Sequence, residues 1–161
     1  RQMCIRDRDT AKQLDAYDSG RIYYYLGEYQ KAYLALDEAR DKGGADSYLY
    51  LGRAYAATGD YNYASSVYNN YLSKQGPNAE IYNELGLCEM AKKEYQNALA
   101  AFQAGKQIEG NSLMQTLCFN EIVAYEYLED YQQAEVLMNA YLQNYPDDQT
   151  AIREQQFLST R

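Results

Sequence analysis

A five-residue signature occurs four times in this chain, at nearly regular intervals. Each copy has an acidic residue, a tyrosine, two variable residues and an alanine, and the copies occupy residues 28–32, 60–64, 94–98 and 130–134. The alanines that end the copies are 32, 34 and 36 residues apart. A period of about 34 residues is typical of stacked helical hairpins, in which each hairpin packs only against its neighbours. The spacing therefore predicts an all-α repeat array instead of a single globular core.

Each signature begins a predicted helix, because apolar residues follow it at intervals of three and four. In the second copy this stripe contains Tyr61, Ala64, Val67, Tyr68 and Leu72. The acidic residue that leads each signature is expected to cap its helix, since a carboxylate accepts hydrogen bonds from free backbone N–H groups and opposes the helix dipole.

A second predicted helix precedes each signature and carries a recurring glycine. Gly20, Gly52 and Gly86 each lie 12 residues before a signature alanine. A glycine inside a helix costs about 1 kcal/mol relative to alanine. Its recurrence predicts that the two helices of a hairpin approach too closely there for a side chain.

These positions resemble the tetratricopeptide repeat family. In the second repeat the matching residues are Tyr48, Leu51, Gly52, Tyr55, Gly59, Asp60, Tyr61, Ala64, Tyr68 and Pro77. The fourth repeat departs from the pattern, with Cys118, Glu121 and Ile122 in place of an aromatic residue, leucine and glycine. The resemblance implies an α-solenoid of four helix-turn-helix repeats followed by a C-terminal capping helix. The repeats are predicted at about 13–44, 45–78, 79–112 and 115–148, and the capping helix at 148–159.

The first eight residues fit none of the repeats and resemble the translation of a transposase end sequence used to prepare DNA libraries. We interpret residues 1–8 as a non-native leader and residues 9–161 as a single repeat domain. On this interpretation the natural N-terminus is missing. A cytoplasmic and an extracytoplasmic location, reached through a lost leader, are then equally open, as is the oligomeric state.

The charge of the chain disfavours several kinds of partner. The formal net charge is −8, whereas nucleic-acid binding draws on clustered lysine and arginine. An anionic membrane surface is disfavoured for the same reason. No uncharged stretch approaches the roughly 20 apolar residues that would cross a bilayer, so direct membrane insertion is not expected.

Catalysis, metal binding and cofactor binding also lack their usual residues. The chain has no histidine, and beyond Cys4 its cysteines are Cys88 and Cys118, both in predicted helices where cysteine behaves as a small apolar residue. The glycines follow the repeats and form no phosphate loop. We expect no enzyme activity, no metal and no cofactor.

The resemblance implies a concave groove lined by the first helices of the repeats. Side chains on these helices that face away from the second helices are the candidate partner-binding residues. They are Tyr17, Arg21, Tyr24, Leu49, Tyr50, Arg53, Asn83, Leu87, Phe119, Asn120 and Val123. The expected partner is a protein or a peptide segment.

Two arginines give this prediction its sharpest form. Arg21 and Arg53 each precede a signature alanine by 11 residues, so they occupy equivalent positions and are expected to stand side by side. Together they could bind a carboxylate or phosphate group on the partner. The alternative is local pairing, because Asp18 lies three residues before Arg21.

The leading hypothesis is a bacterial protein-interaction scaffold. The alternative is the ligand- or peptide-sensing half of a regulator whose effector domain lies beyond the missing N-terminus. Some members of the family hold the C-terminal carboxylate of chaperone tails. This chain has Tyr17, Tyr50, Glu80 and Glu84 where such a clamp needs basic or amide residues, so a chaperone-tail receptor is not expected.

Overall fold

The computed structural model describes residues 15–161, and the predicted leader at residues 1–8 lies outside this range. The described residues form nine helices and no strand. The helices are α1 (Ala16–Tyr25), α2 (Tyr29–Asp41), α3 (Ser47–Ala57), α4 (Tyr61–Gln75), α5 (Ala79–Ala91), α6 (Tyr95–Lys106), α7 (Met114–Tyr127), α8 (Tyr131–Asn144) and α9 (Gln149–Leu158). No helix in this described part of the chain is both long and apolar enough to cross a membrane.

The chain divides into two compact units at the Gly76–Pro77 junction. Unit 1 contains two hairpins, α1 with α2 and α3 with α4, and the helices α2 and α3 also contact each other. Unit 2 contains the hairpins α5 with α6 and α7 with α8, and α9 packs on α8. The predicted all-α repeat architecture with its capping helix is therefore confirmed. The assignment of residues 9–161 to a single domain stays a prediction.

The recurring glycines lie where the two helices of a hairpin are closest. A Cβ atom placed on Gly52 would sit 2.3 Å from the ring of Tyr68, and one on Gly86 would sit 2.3 Å from the ring of Phe102. In the first hairpin, a Cβ atom placed on Gly20 would sit 2.4 Å from its nearest neighbouring atom. These distances are far below van der Waals contact, so the predicted close approach is confirmed in all three hairpins.

The expected helix caps are confirmed at two signatures and wrong at the other two. Asp60 and Asp130 each accept a hydrogen bond of 3.1 Å from the backbone N–H three residues further on. Glu28 and Glu94 make no such bond. A glutamate carboxylate lies one methylene further from the backbone, and that of Glu28 instead pairs with Lys31 at 2.5 Å.

Small signature residues and large rings together fill the interior of the hairpins. The four signature alanines are fully buried. Tyr68 and Phe102 are also fully buried, at equivalent places in the second and third hairpins. Between neighbouring hairpins of unit 1, the rings of Tyr33 and Tyr55 stack with centroids 4.2 Å apart. The tyrosine-rich composition is thus largely a packing feature, in which aromatic area is buried and the hydroxyl stays near water.

Candidate functional site

The first helices of the two unit 1 hairpins meet through tyrosine rings centred on Tyr50. The rings of Tyr17, Tyr24 and Tyr25 on α1 contact the Tyr50 ring on α3 edge to face, with centroid distances of 6.2, 5.8 and 5.9 Å. The hydroxyls of Tyr25 and Tyr50 lie 3.2 Å apart and share a hydrogen bond. Such contacts are attractive because the positive edge of one ring meets the negative face of another. The four rings form one connected aromatic surface.

Two guanidinium groups lie against this surface. The guanidinium carbon of Arg21 is 5.2 Å from the centroid of Tyr50 and 5.3 Å from that of Tyr17. The guanidinium carbon of Arg53 is 5.7 Å from the same Tyr50 centroid. Both cations therefore share one aromatic ring, within the range of cation–π attraction. We call this set the Tyr50 cluster; its members are Tyr17, Arg21, Tyr24, Tyr25, Tyr50 and Arg53.

The Arg21 side chain is partly open to solvent and incompletely paired. It is 40% exposed, and one of its terminal nitrogens lies 3.6 Å from a carboxylate oxygen of Asp18, which is itself 46% exposed. The Nε atom of Arg21 is buried and has no hydrogen-bond acceptor among the described residues. A buried donor without an acceptor is unfavourable, and an incoming oxygen could satisfy it. The Arg21 side chain therefore pairs with Asp18 and contacts Tyr50 at the same time.

Contacts within the Tyr50 cluster shift the pKa values of its side chains. The hydrogen bond with Tyr25 is the main cause that lowers the pKa of Tyr50, and Arg21 lowers it further while burial opposes the change. The same contact with Tyr50 raises the pKa of Tyr25, and the hydrogen bond to Tyr50 raises that of Arg21. The lowered pKa of Tyr50 is consistent with its contacts to Tyr25 and to the two guanidiniums.

The structure brings together five of the six candidate residues predicted in unit 1. Leu49 is half-buried and lies outside the Tyr50 cluster. The cluster also contains Tyr25, which the sequence analysis missed although it closes the run Tyr23-Tyr24-Tyr25. Tyr25 is the last residue of α1 and is 68% exposed. The direction of a side chain at the end of a helix depends on the turn that follows. Helical periodicity therefore could not predict the orientation of Tyr25.

The candidate residues of unit 2 are divided between packing and exposure. Asn83 is only 8% exposed, and its side-chain oxygen accepts a 2.9 Å hydrogen bond from the amide of Asn120. This bond links α5 to α7. Leu87 is 44% exposed, whereas Val123 is half-buried.

Phe119 and Asn120 line a cavity of about 290 Å³ beside α8 and α9. In its wall, the Gln115 amide donates to the Tyr141 hydroxyl at 3.1 Å, and this hydroxyl donates to the Asp148 carboxylate at 2.6 Å. Burial first, and then Asp148, raises the pKa of Tyr141 to about 12. This chain of hydrogen bonds was not predicted, because it joins three helices.

A buried ion pair occupies the interior of unit 2 where the fourth repeat departs from the family pattern. Glu121 on α7 pairs with Lys106 on α6 and accepts a 2.9 Å hydrogen bond from Gln103. Burial raises the pKa of the Cys118 thiol nearby and raises that of Cys88 to about 12. Thiols with raised pKa values are poor nucleophiles, as expected for cysteines that serve packing. Among residues 15–161 no group of three or more acidic or cysteine side chains is placed to hold a metal ion.

The geometry defines a protein built from helical hairpins that present aromatic and polar side chains on their first helices. Tetratricopeptide repeat models match residues 17–62, 51–111 and 119–148. These matches cover well over half of the sequence, so the chain belongs to the tetratricopeptide repeat family. Proteins of this family are interaction modules, and the chain is accordingly a protein-interaction repeat protein and not an enzyme.

Solved structures show the same fold. MamA AMB-1 aligns over 89% of this chain and 78% of its own, with a TM-score of 0.72 and 23% identity. The MamA RS-1 ArsTM double mutant aligns over 95% and 85%, with a TM-score of 0.79 and 20% identity. The second tetratricopeptide domain of human RPAP3, in complex with the HSP70 peptide SGPTIEEVD, aligns over 68% and 90%, with a TM-score of 0.60 and 16% identity. No curated protein sequence matches the chain significantly.

Proposed function

We propose that the chain binds a peptide segment of a partner protein at the Tyr50 cluster. In this proposal Arg21 and Arg53 contact a carboxylate or phosphate group of the peptide, and the tyrosine rings contact its neighbouring residues. The observation that carries the proposal is the position of both guanidiniums on the single ring of Tyr50. Each comes from a different repeat, so the two cations converge only because the hairpins stack.

The charge distribution supports an anionic ligand. The whole chain has a net charge of −8, yet two permanently charged cations meet at this surface. Guanidiniums can bind carboxylate and phosphate through two parallel hydrogen bonds. Asp18 competes weakly for Arg21, because exposed ion pairs contribute at most about 1 kcal/mol. A ligand anion can therefore displace it.

The aromatic rings supply contact area at low entropic cost. Tyrosine has few rotatable bonds, and tyrosine and arginine are enriched among the residues that dominate interface energetics. Since Tyr50 is held by three other rings, little further ordering is needed when a peptide binds. A preorganised surface of this kind loses less conformational entropy on binding.

The proposed ligand differs from the peptide seen with RPAP3. The RPAP3 domain is similar in fold and is in complex with SGPTIEEVD. In this chain Tyr17 and Tyr50 stand where a clamp for such a tail needs basic or amide residues, and so do Glu80 and Glu84. We therefore propose a ligand in which an anionic group stands beside an aromatic or aliphatic residue, and we expect SGPTIEEVD to bind weakly.

A synthetic peptide array tests the proposal with defined probes. Matched peptides would carry an aspartate, a phosphoserine or a neutral serine next to a variable apolar residue, each with a free or amidated C-terminus. The best binder is then measured against the variants Arg21→Gln and Arg53→Gln. We expect each variant to weaken binding at least about tenfold, since a charge-assisted hydrogen bond is lost, while the far-ultraviolet circular dichroism stays unchanged.

The variant Arg153→Gln is the matched control. It removes the same charge from an exposed position on α9 and should bind the peptide as the parent does. Equal weakening by Arg153→Gln would show that the loss of binding comes from the net charge of the chain and not from contacts in the Tyr50 cluster. Unaltered binding in both cluster variants, or equal binding of the serine and aspartate peptides, would contradict the proposal.

A further inference from the structure

A second surface of unit 2 combines aromatic rings with carboxylates. A cavity of about 370 Å³ lies where α7 ends, α8 begins and α9 packs. It is lined by Glu126, Tyr127, Glu129, Tyr131 and Phe157. None of these residues belongs to the Tyr50 cluster, and none was a predicted site residue.

The rings of this cavity are open and firmly placed. Tyr127 is 58% exposed and Phe157 is 40% exposed. The Tyr127 ring is supported from behind by stacking on Tyr95, with centroids 5.0 Å apart. The face of an aromatic ring is electronegative, so several converging rings attract a cation, most strongly where water is partly excluded.

The carboxylates beside the rings are not fully satisfied. One carboxylate oxygen of Glu126 is buried and has no hydrogen-bond partner in the described structure. Glu154 on α9 is close enough to Glu126 to raise the pKa of that carboxyl, in addition to the larger effect of burial. Bringing acidic groups together away from water is unfavourable unless a cation or a proton compensates them.

The chain already places a cation on these rings. The guanidinium carbon of Arg161 lies 4.4 Å from the centroid of Phe157 and 5.6 Å from that of Tyr131. Arg161 itself is exposed. The rings of Phe157 and Tyr131 therefore lie at distances suited to cation–π contact, and the guanidinium that contacts them belongs to an exposed residue.

We propose that this cavity, which we call the Phe157 site, binds the arginine side chain of a partner peptide, and that Arg161 occupies the site when the peptide is absent. Arginine suits the site better than lysine, because its planar guanidinium stacks on aromatic rings and reaches a carboxylate at the same time. The open rings of Tyr127 and Phe157 provide the faces, and Glu126 and Glu129 provide the acceptors.

A competition experiment on the full 161-residue chain tests the Phe157 site. The probe is a blocked Gly-Arg-Gly peptide, and its control is the same peptide with citrulline, which keeps the shape of arginine without the charge. Binding is followed by nuclear magnetic resonance titration. In the variant Arg161→Gln the arginine peptide should bind at least about fivefold more tightly than the citrulline peptide.

Two further variants locate the binding and test the role of Arg161. The unsubstituted chain should bind the arginine peptide about threefold more weakly than Arg161→Gln, since its own side chain competes. Adding Phe157→Leu to Arg161→Gln should weaken binding about fivefold. Adding Val136→Ala, which trims another exposed apolar residue, on α8, should leave the affinity unchanged.

The opposite results would overturn the proposal. They are equal binding of the arginine and citrulline peptides, no effect of Phe157→Leu, or equal affinity with and without Arg161. A blocked Gly-Lys-Gly peptide that binds as tightly as the arginine peptide would rule out selection of a guanidinium. A dimer of the unsubstituted chain that Arg161→Gln dissociates in sedimentation would make a second copy the occupant in place of a partner peptide.

Discussion

Within each unit, the first helices of the two hairpins are joined by a different kind of interaction. In unit 1, α1 and α3 meet through tyrosine rings, and the hydrogen bond between them joins two hydroxyls at a largely exposed position. In unit 2, α5 and α7 are joined by the amides of Asn83 and Asn120, with Asn83 almost fully buried. Tyr50 and Asn120 each lie 14 residues before a signature alanine, so one repeat position makes aromatic contacts in unit 1 and an amide hydrogen bond in unit 2.

Packing within the second hairpin differs from packing between the third and fourth hairpins. In the second repeat Gly52 admits the ring of Tyr68, and the contact is purely one of shape. In the fourth repeat Ile122 replaces the glycine and Glu121 replaces a leucine, so a buried ion pair with Lys106 takes part in the packing. Charge in an interior is costly unless paired, whereas a ring against glycine is sensitive only to volume.

The largest expected effect is the loss of the buried ion pair. Glu121→Ala should lower the free energy of unfolding by about 3 kcal/mol, because Lys106 would lose its partner while remaining largely buried. Burial opposes the charge of Lys106, and Glu121 offsets it by raising the Lys106 pKa. Urea denaturation gives the value.

The double variant Lys106→Met with Glu121→Leu is the control for this prediction. An apolar pair of similar volume should restore stability to within about 1 kcal/mol of the parent. A loss below about 1 kcal/mol in Glu121→Ala would show that the pair is not a packing element of unit 2.

The variant compared with it in unit 1 adds a methyl group to a tight contact and removes no charge. Gly52→Ala should destabilise the chain by about 2 kcal/mol, because the new methyl group would overlap the buried Tyr68 ring and the gain in helix propensity offsets only part of this. Thermal and urea unfolding both measure the change. When combined with Tyr68→Leu, Gly52→Ala should cost much less than it does alone. Additive effects of the two substitutions would argue against direct contact.

The two links between first helices can be compared directly. Asn120→Ala should cost about 1.5 kcal/mol, since it leaves the buried side-chain oxygen of Asn83 without a donor. Tyr25→Phe should change stability by less than about 0.5 kcal/mol, because the lost hydroxyl contact lies at an exposed position. Similar losses in the two variants would remove the contrast between the units.

The remaining effect concerns pH. Burial first, and then Glu154, raises the pKa of Glu126 from an ordinary 4.5 to about 7. The folded chain therefore keeps this proton between pH 4.5 and 7 while the unfolded chain releases it, so the contribution of Glu126 to stability is fully present below pH 4.5 and is lost as the pH rises through 7. Because Glu126 is only partly buried, solvent screening limits the decline to about 1 kcal/mol.

The variant Glu126→Gln isolates this contribution. It keeps the surroundings formed by Glu154, Glu129, Tyr131 and Arg161, and it cannot titrate. Urea denaturation at pH 5 and pH 8 should show the parent losing about 1 kcal/mol more than the variant. Equal losses would indicate an ordinary pKa for Glu126.

Much of the fold was readable from the sequence because each repeat uses the same local interactions. The signature spacing, the glycines and the apolar stripes depend on contacts inside one hairpin, where sequence distance determines spatial distance. The equal offsets of Arg21 and Arg53 from Ala32 and Ala64 predicted neighbouring positions, but they did not predict the Tyr50 ring that both guanidiniums approach. Helix caps were less predictable, since aspartate and glutamate have the same charge and a different reach.

The candidate sites were less predictable, because they depend on contacts between hairpins. Asn83 was expected to face a groove, yet its partner Asn120 lies 37 residues away and buries it. The Phe157 site combines three helices, so its residues come together only when α9 packs on the last hairpin. Periodicity identifies the face of a helix that is buried, but it does not identify what lies opposite.

The position of the glycine contacts has a consequence for evolution. Each of these contacts lies inside one hairpin, so duplication or deletion of a whole repeat would leave the hairpin cores intact. The Tyr50 cluster is instead shared by the first two hairpins, so an insertion between them or a deletion of either one would separate Arg21 from Arg53. The glycine contacts therefore travel with a single repeat, whereas the Tyr50 cluster depends on the order of two repeats.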